Sequence, residues 1–259
     1  VDPAFDSRLA SAMEDVERYL RGTVVSDYPF VTETSRHLVD AGGKRFRPLL
    51  TLLASHFGPR PANDDVIKAA VVVEPTHLAT LYHDDVMDEA QLRRGAPSAN
   101  ARWDNSIAIL TGDFLFARAS DILADLGPEA VRIQAQTFER LCTGQIREAV
   151  GPDDGIDPVK HHLQVLSDKT GSLIATAGRF GAMMAGAETS TIDTLSRFGE
   201  AIGVAFQLAD DIVDITSDAE QSGKLPGTDL REGVPTLATL IAQSSDQSGG
   251  DELVAFLSG

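Results

Sequence analysis

Apolar residues recur three and four positions apart over nearly the whole chain, the spacing of helices that bury one face. No stretch pairs strict alternation with the Asn-Gly or Asp-Gly turns of a sheet protein, so the fold class is all-α. Helix starts are marked by Asn63 before DDVIKAA, Gly127-Pro128 before EAVRIQ, Asp157-Pro158 before VKHHLQ, and Ser190 with Asp193 three residues on, a capping-box spacing. Breaks fall at Gly42-Gly43, Gly58-Pro59, Gly151-Pro152 and Ser222 to Gly227, and AQSSDQSGGDE near the C-terminus reads as a loose loop. Some eight to ten helices result, joined by connections short enough for a bundle. Pro75 interrupts the helix leading to the first acidic cluster, where it kinks the helix or makes it restart; from Thr76 to Asp88 the turn-by-turn geometry is unbroken either way.

At 259 residues and 42% hydrophobic content the chain has enough material for one large domain with a substantial core, or at most two, and one is favoured. Acidic residues outnumber basic ones 39 to 22, giving a net charge of −17. That excludes a nucleic-acid binder, which needs a broad basic surface, but leaves room for a local basic pocket that holds a diphosphate. The single cysteine, Cys142, forms no internal disulfide, fits a reducing cytoplasm and is read as an ordinary buried thiol. Apolar runs such as Ala69 to Val73 fall far short of a membrane span, and the N-terminus lacks a basic-then-apolar signal, so a soluble or peripheral protein is expected.

The chemistry concentrates in HLATLYHDDVMDEAQLRRG, His77 to Gly95, and in QLADDIVDI, Gln207 to Ile215. Both carry the spacing D-D-x-x-D, as Asp84, Asp85, Asp88 and as Asp210, Asp211, Asp214. Positions i and i+4 share a helix face, so each cluster is a carboxylate patch; His77 lies on the face of Asp84, and Gln207 one turn before Asp211. Such a patch needs a compensating cation if it lines a cleft. An oxygen-only donor set suits magnesium, which keeps several waters and shares its carboxylates with substrate phosphates, better than zinc or copper. One such cluster is as well explained by a solvated helix face; two, each set in apolar sequence, are not. Upstream, GGKRFRP places Lys44, Arg45 and Arg47 on a glycine-led turn at the start of an apolar helix, an anion-binding arrangement strengthened by Arg93 and Arg94 after the first cluster.

These residues carry a family resemblance. The chain resembles the trans-type (all-E) polyprenyl diphosphate synthases, of the medium- or long-chain kind, from about Gly42 to Leu240, through GGKRFRP, His77, HDDVMD followed by RRG, GDFLFARA, DKTGSL, FQLADDIVDI and GKLPGTDLREGVPTL. The resemblance implies a helical isoprenoid-synthase bundle around a deep central cavity, with the two acid motifs on facing helices and residues 1–259 forming a single synthase domain. It implies condensation of isopentenyl diphosphate with an allylic prenyl diphosphate. Magnesium bridging Asp84, Asp88 and Asp210 is expected to hold the allylic diphosphate, supported by Asp85, Arg93, Lys169, Thr170, Gln207, Asp211 and Lys224, with Asp214 completing the second motif. Isopentenyl diphosphate is expected against Lys44, Arg47, His77 and Arg94. No dedicated side-chain base is evident, so the departing diphosphate takes the proton; His83 is read as a packing group.

In the family, bulky residues four and five positions before the first aspartate close the product tunnel early. Here these are Thr80 and Ala79, both small, which fits a medium- or long-chain product, although Tyr82 is a possible plug on a narrower route. A geranylgeranyl-type short-chain synthase and a non-catalytic subunit of a heteromeric synthase are the alternatives; the second is disfavoured because neither acid motif is lost. A terpene cyclase is disfavoured because its second metal motif carries Asn and Ser or Thr where this chain has three aspartates. The family continues beyond the position of Gly259 with further helices and a basic tail, which implies a chain that is shortened or has segments left out. The resemblance also suggests a homodimer in the cytoplasm, and an insoluble product would suit a place close to a membrane without an anchor.

Overall fold

Capping chemistry sets where several helices begin. Asp2, Asn63, Asp104 and Asp157 stand in extended backbone. Each turns a side-chain oxygen onto first-turn N–H groups: Asp2 onto Ala4 at 3.0 Å, Asn63 onto Asp65 and Val66 at 2.9 and 3.2 Å, Asp104 onto Ile107 at 2.8 Å, Asp157 onto Val159 at 2.9 Å. The capping box expected at Ser190 is corrected: the helix starts at Thr189, and the Ser190 carbonyl already accepts the Thr194 hydroxyl from inside the first turn.

The computed structural model describes residues 2–216 and 235–243. Lys224, the break at Ser222 to Gly227 and residues 244–252 of the expected loop lie outside them, while the first two residues of that loop, Ala242 and Gln243, are helical instead. The helices are α1 Pro3–Thr23, α2 Pro29–Asp40, α3 Phe46–Ser55, α4 Asp64–Met87, α5 Ala99–Arg102, α6 Asn105–Leu126, α7 Pro128–Val150, α8 Pro158–Leu166, α9 Ser172–Met184, α10 Thr189–Thr216 and α11 Leu237–Gln243. A π-helical turn, Ser167–Gly171, joins α8 to α9. The eleven α-helices among the described residues exceed the expected eight to ten because short pieces count, such as α5 with 4 residues. One element departs from the all-helical expectation: a hairpin of two-residue strands, β1 Leu92–Arg93 and β2 Ala96–Pro97, paired antiparallel with Leu92 opposite Pro97. Its central residues Arg94 and Gly95 have φ 53° and 77°, the positive pair that a tight primed turn demands.

The described residues form two compact units. The first comprises residues 2–136 and 173–198, the second residues 137–172, 199–216 and 235–243. In the first, α4 is the core helix, with Val66, Ala69 to Val73, Leu78, Ala79 and Tyr82 all at 0% exposure. A helix buried on every side is apolar on every side, and each buried Val or Leu contributes roughly 1.5–3 kcal/mol. It runs through Pro75 as one 24-residue helix and does not restart there. Against it, α6 comes close at Gly112, where an added Cβ would stand 3.1 Å from the Ala79 carbonyl and closer still to the His83 ring. His83 fills that seam, its Nε2 3.1 Å from the Ile109 carbonyl, which makes it the packing group expected. In the second unit, α8 and the π turn lie beside the C-terminal part of α7, and Cys142 on α7 is exposed, correcting the buried-thiol reading. No helix among the described residues is long and apolar enough to cross a membrane.

Candidate active site

The first acid motif closes α4. Asp84 is half-buried and Asp88, the C-cap, is exposed, whereas Asp85 has 0% exposure. At about 100° per residue the second aspartate leaves the face shared by the first and third. It turns instead to the hairpin, where it accepts Arg93 Nε at 2.6 Å. Burial pushes its carboxyl above the usual carboxylate range, an effect the Arg93 bond opposes. Asp85 Oδ2 is buried without a hydrogen-bond partner. The hairpin is fixed in turn by Ser98 Oγ, by Asn100 Nδ2 at 3.2 Å on the Ala90 carbonyl, and by His37 Nε2 2.7 Å from the Pro97 carbonyl.

Arg94, the first central residue of the turn, reaches partners different from those of Arg93. It donates to the Leu38 carbonyl at 3.0 Å and to the Gly42 carbonyl, and its Nη2 is 3.9 Å from Glu74 Oε1. Gly43 makes room for it: φ is 144°, and an added Cβ would stand 2.9 Å from the guanidinium carbon. The expected cation cluster therefore assembles, with one correction. Arg45 is not available to an anion; at φ 47° its side chain turns inward to donate to Glu17 at 2.5 Å, Glu74 at 3.0 Å and the Val39 carbonyl at 2.9 Å. Lys44 is exposed. Arg47 has its Nε shut away without a partner, and burial pushes its pKa down to about 10 against the pull of Glu74. Burial and then Arg47, Arg94 and Arg93 hold His77 well below the ordinary histidine value, so it is neutral near pH 7.

Glu74, 2% exposed, is the residue that sequence reading missed. It is the carboxylate among Arg45, Arg47 and Arg94. Its signal was present, a lone acid within the apolar run AAVVVEP.

The second motif repeats the first on α10. Asp210 is exposed and Asp214 half-buried, while Asp211 is 8% exposed. Gln207 Nε2 donates to Asp211 at 3.2 Å, His162 Nε2 lies 3.9 Å from its other oxygen, and burial raises the Asp211 carboxyl above its ordinary range. Thr170 Oγ1 meets Gln207 Oε1 at 3.4 Å, and Lys169 pairs with Glu148 on α7. In each motif the middle aspartate is thus tied inward, while one of its neighbours is exposed and the other half-buried.

Among the described residues no three His, Cys, Asp or Glu side chains converge to cage an ion. The motifs offer outward carboxylates one helical turn apart, together with the partnerless Asp85 oxygen. That all-oxygen, open donor set fits a divalent ion that keeps waters and shares substrate phosphates. The chain-length positions separate: Thr80 is half-buried and about 40° around α4 from Asp84, while Ala79, fully buried in the α6 seam, is about 140° away. Tyr82, the possible plug, is held by α2: its hydroxyl donates to the Thr34 carbonyl at 2.6 Å and accepts from Leu38 N at 3.3 Å.

The polyprenyl synthetase family model matches residues 28–257. The chain belongs to that family. A nonaprenyl diphosphate synthase of Mycobacterium tuberculosis is 50% identical over 100% of this chain and 77% of its own length. A dimethylallyltranstransferase of the same organism is 41% identical over 98% and 78%. A solved geranylgeranyl pyrophosphate synthase of Corynebacterium glutamicum, complexed with calcium and isoprenyl diphosphate, superposes with a TM-score of 0.89 at 53% identity, covering 100% of this chain and 78% of that one. The synthase is accordingly a prenyltransferase with the helical isoprenoid-synthase fold, acting on prenyl diphosphates with the help of a divalent metal.

Proposed function

We propose that the synthase condenses isopentenyl diphosphate with an allylic prenyl diphosphate to give a medium- or long-chain all-E polyprenyl diphosphate, with magnesium as the ion. The observation that supports this reading is the shared construction of the two acid motifs: Asp85 and Asp211 are anchored inward, while Asp88 and Asp210 are exposed and Asp84 is half-buried, and these three are the carboxylates we assign to the metal. When bound, the metal neutralises the allylic diphosphate as its C–O bond breaks. Lys169 and Thr170 face the same leaving group, joined by Gln207 and by Lys224, which lies outside the described residues. Arg93 acts there too, by holding Asp85 in place. Their charges are worth most where water is excluded.

Lys44, Arg47 and Arg94 hold the isopentenyl diphosphate, and neutral His77 adds a hydrogen bond without adding charge. The double bond of isopentenyl diphosphate attacks the allylic cation, and the departing diphosphate accepts the proton. The synthase works as one domain and as a homodimer, for which Ile109 and Leu110, exposed on α6, supply apolar surface. We place it in the cytoplasm, close to the membrane that takes up its product.

Because the named relatives differ in product, length is read from this chain's own residues. Thr80, small and on the side of Asp84, leaves the path below the metal site open. Incubation with isopentenyl diphosphate, magnesium and allylic primers of several lengths, followed by chromatography, is the test. Products longer than geranylgeranyl diphosphate support the reading. A ladder ending at geranylgeranyl diphosphate assigns the short-chain alternative, and no product from any primer refutes catalysis by this chain alone.

A further inference from the structure

Lys169 and Thr170 lie on the only π-helical turn among the described residues. Such a turn is less favourable than the α-helix around it, so contacts from outside the backbone must hold it. The residue that gathers those contacts is Asp168, buried at 4% exposure. Its carboxylate accepts Arg140 Nε at 2.9 Å, Gln164 Nε2 at 2.9 Å and Arg147 Nη1. Arg140 and Arg147 stand seven positions apart on one face of α7 and clasp the carboxylate between them. Arg140 also donates to Glu200 at 2.6 Å and to Ser167 Oγ at 3.0 Å, and that hydroxyl donates to Glu200 at 2.5 Å. Ser172 Oγ donates to the Asp168 carbonyl at 2.6 Å. Two arginines meet two carboxylates, and both ends of the turn are tied down.

Between the two arginines, Gly144 lets α7 touch the turn directly. An added Cβ there would stand 2.9 Å from Lys169 N and 3.0 Å from Asp168 Cβ. One turn further along α7, Glu148 receives the Lys169 ammonium.

We propose that Asp168, with Arg140, Arg147 and the bare α-carbon of Gly144, is the positioning device that sets the place and direction of Lys169 and Thr170. Asp168 acts through its neighbour: protein donors occupy its carboxylate, and the ammonium of Lys169 meets the substrate. The inference rests on the reading that Lys169 binds the allylic diphosphate, and it adds a specificity. Loosening the turn should weaken the allylic substrate alone, because none of the isopentenyl diphosphate ligands named above is on the turn.

The experiment measures KM for each substrate, kcat and the thermal midpoint in Asp168→Asn, Gly144→Ala, Arg147→Gln and Lys169→Ala forms of the full chain. Asp168→Asn and Gly144→Ala are expected to raise the allylic KM about ten-fold, the loss of roughly one charge-assisted contact, with KM for isopentenyl diphosphate within about two-fold of wild type. If Asp168→Asn cannot be recovered folded, Arg147→Gln, whose side chain is 45% exposed, carries the same test. A lowered midpoint with both KM values unchanged shows Asp168 to be structural only and overturns the inference, provided Lys169→Ala raises the allylic KM. An unchanged allylic KM in Lys169→Ala itself overturns both the inference and the reading beneath it.

Discussion

Glu74→Gln is the perturbation with the clearest signed outcome. The carboxylate is 2% exposed, accepts Arg45 Nη1 at 3.0 Å and lies 3.9 Å from Arg94 Nη2, with the charge of Arg47 close enough to feel it. Breaking a buried ion pair by removing one partner costs about 3–5 kcal/mol. Here the amide keeps an acceptor oxygen, and Glu17 still holds Arg45 at 2.5 Å, so we take the lower end of the range, about 3 kcal/mol. At ~2–3 kcal/mol per molar urea the unfolding midpoint should fall by about 1 M. The variant also leaves excess positive charge among Arg45, Arg47 and Arg94, where we propose that isopentenyl diphosphate binds, and the ligand itself can neutralise it. Saturating isopentenyl diphosphate should therefore raise the midpoint further in the variant than in wild type. A midpoint within about 0.2 M of wild type, or a smaller ligand-induced rise, refutes the placement of Glu74 as the counter-charge of this arginine cluster.

His77 has its pKa depressed by burial and by Arg47, so the folded state refuses a proton that the unfolded chain accepts below pH 6.5. Stability should fall on acidification below that value, and His77→Gln should flatten the urea-midpoint profile between pH 7 and 5 by up to ~1.4 kcal/mol per pH unit. Arg47→Ala, and less strongly Lys44→Ala, should raise KM for isopentenyl diphosphate about ten-fold or more with the allylic KM little changed; equal losses for both substrates would show one shared anion site. Thr80→Phe should shift chromatographed products to shorter chains with primer consumption retained. Ala79→Phe should instead lose about 1–3 kcal/mol in urea unfolding by overpacking the seam with α6, and a stable variant with shortened products would place the tail on that side of α4.

Spacing alone made both acid motifs and their helices legible, because D-D-x-x-D on a 3.6-residue repeat leaves little freedom. It did not show that Asp85 and Asp211 are the buried members, since that depends on Arg93 and Gln207 standing beside them. Local pattern treated Lys44, Arg45 and Arg47 as equals; Glu74, 29 residues beyond Arg45, decides otherwise, and pairing at that separation leaves no periodic trace. The hairpin at Leu92–Pro97 was hidden because two-residue strands cannot display alternation, although Arg94-Gly95 carried the turn signal. The π turn under Lys169 was unreadable for a related reason: it is held by Arg140, Arg147 and Glu200, which are distant in sequence.

The proposed chemistry requires both motifs to act on one allylic diphosphate. The decisive measurement is turnover of Asp84→Ala and of Asp210→Ala at saturating magnesium and both substrates, with helix content checked by circular dichroism. Each change removes one of the carboxylates we assign to the metal at the centre where charge develops. Each should therefore lower kcat roughly 100-fold or more in a protein that stays folded. Near-normal turnover in either folded variant would contradict the claim that both motifs hold the metal-bound leaving group.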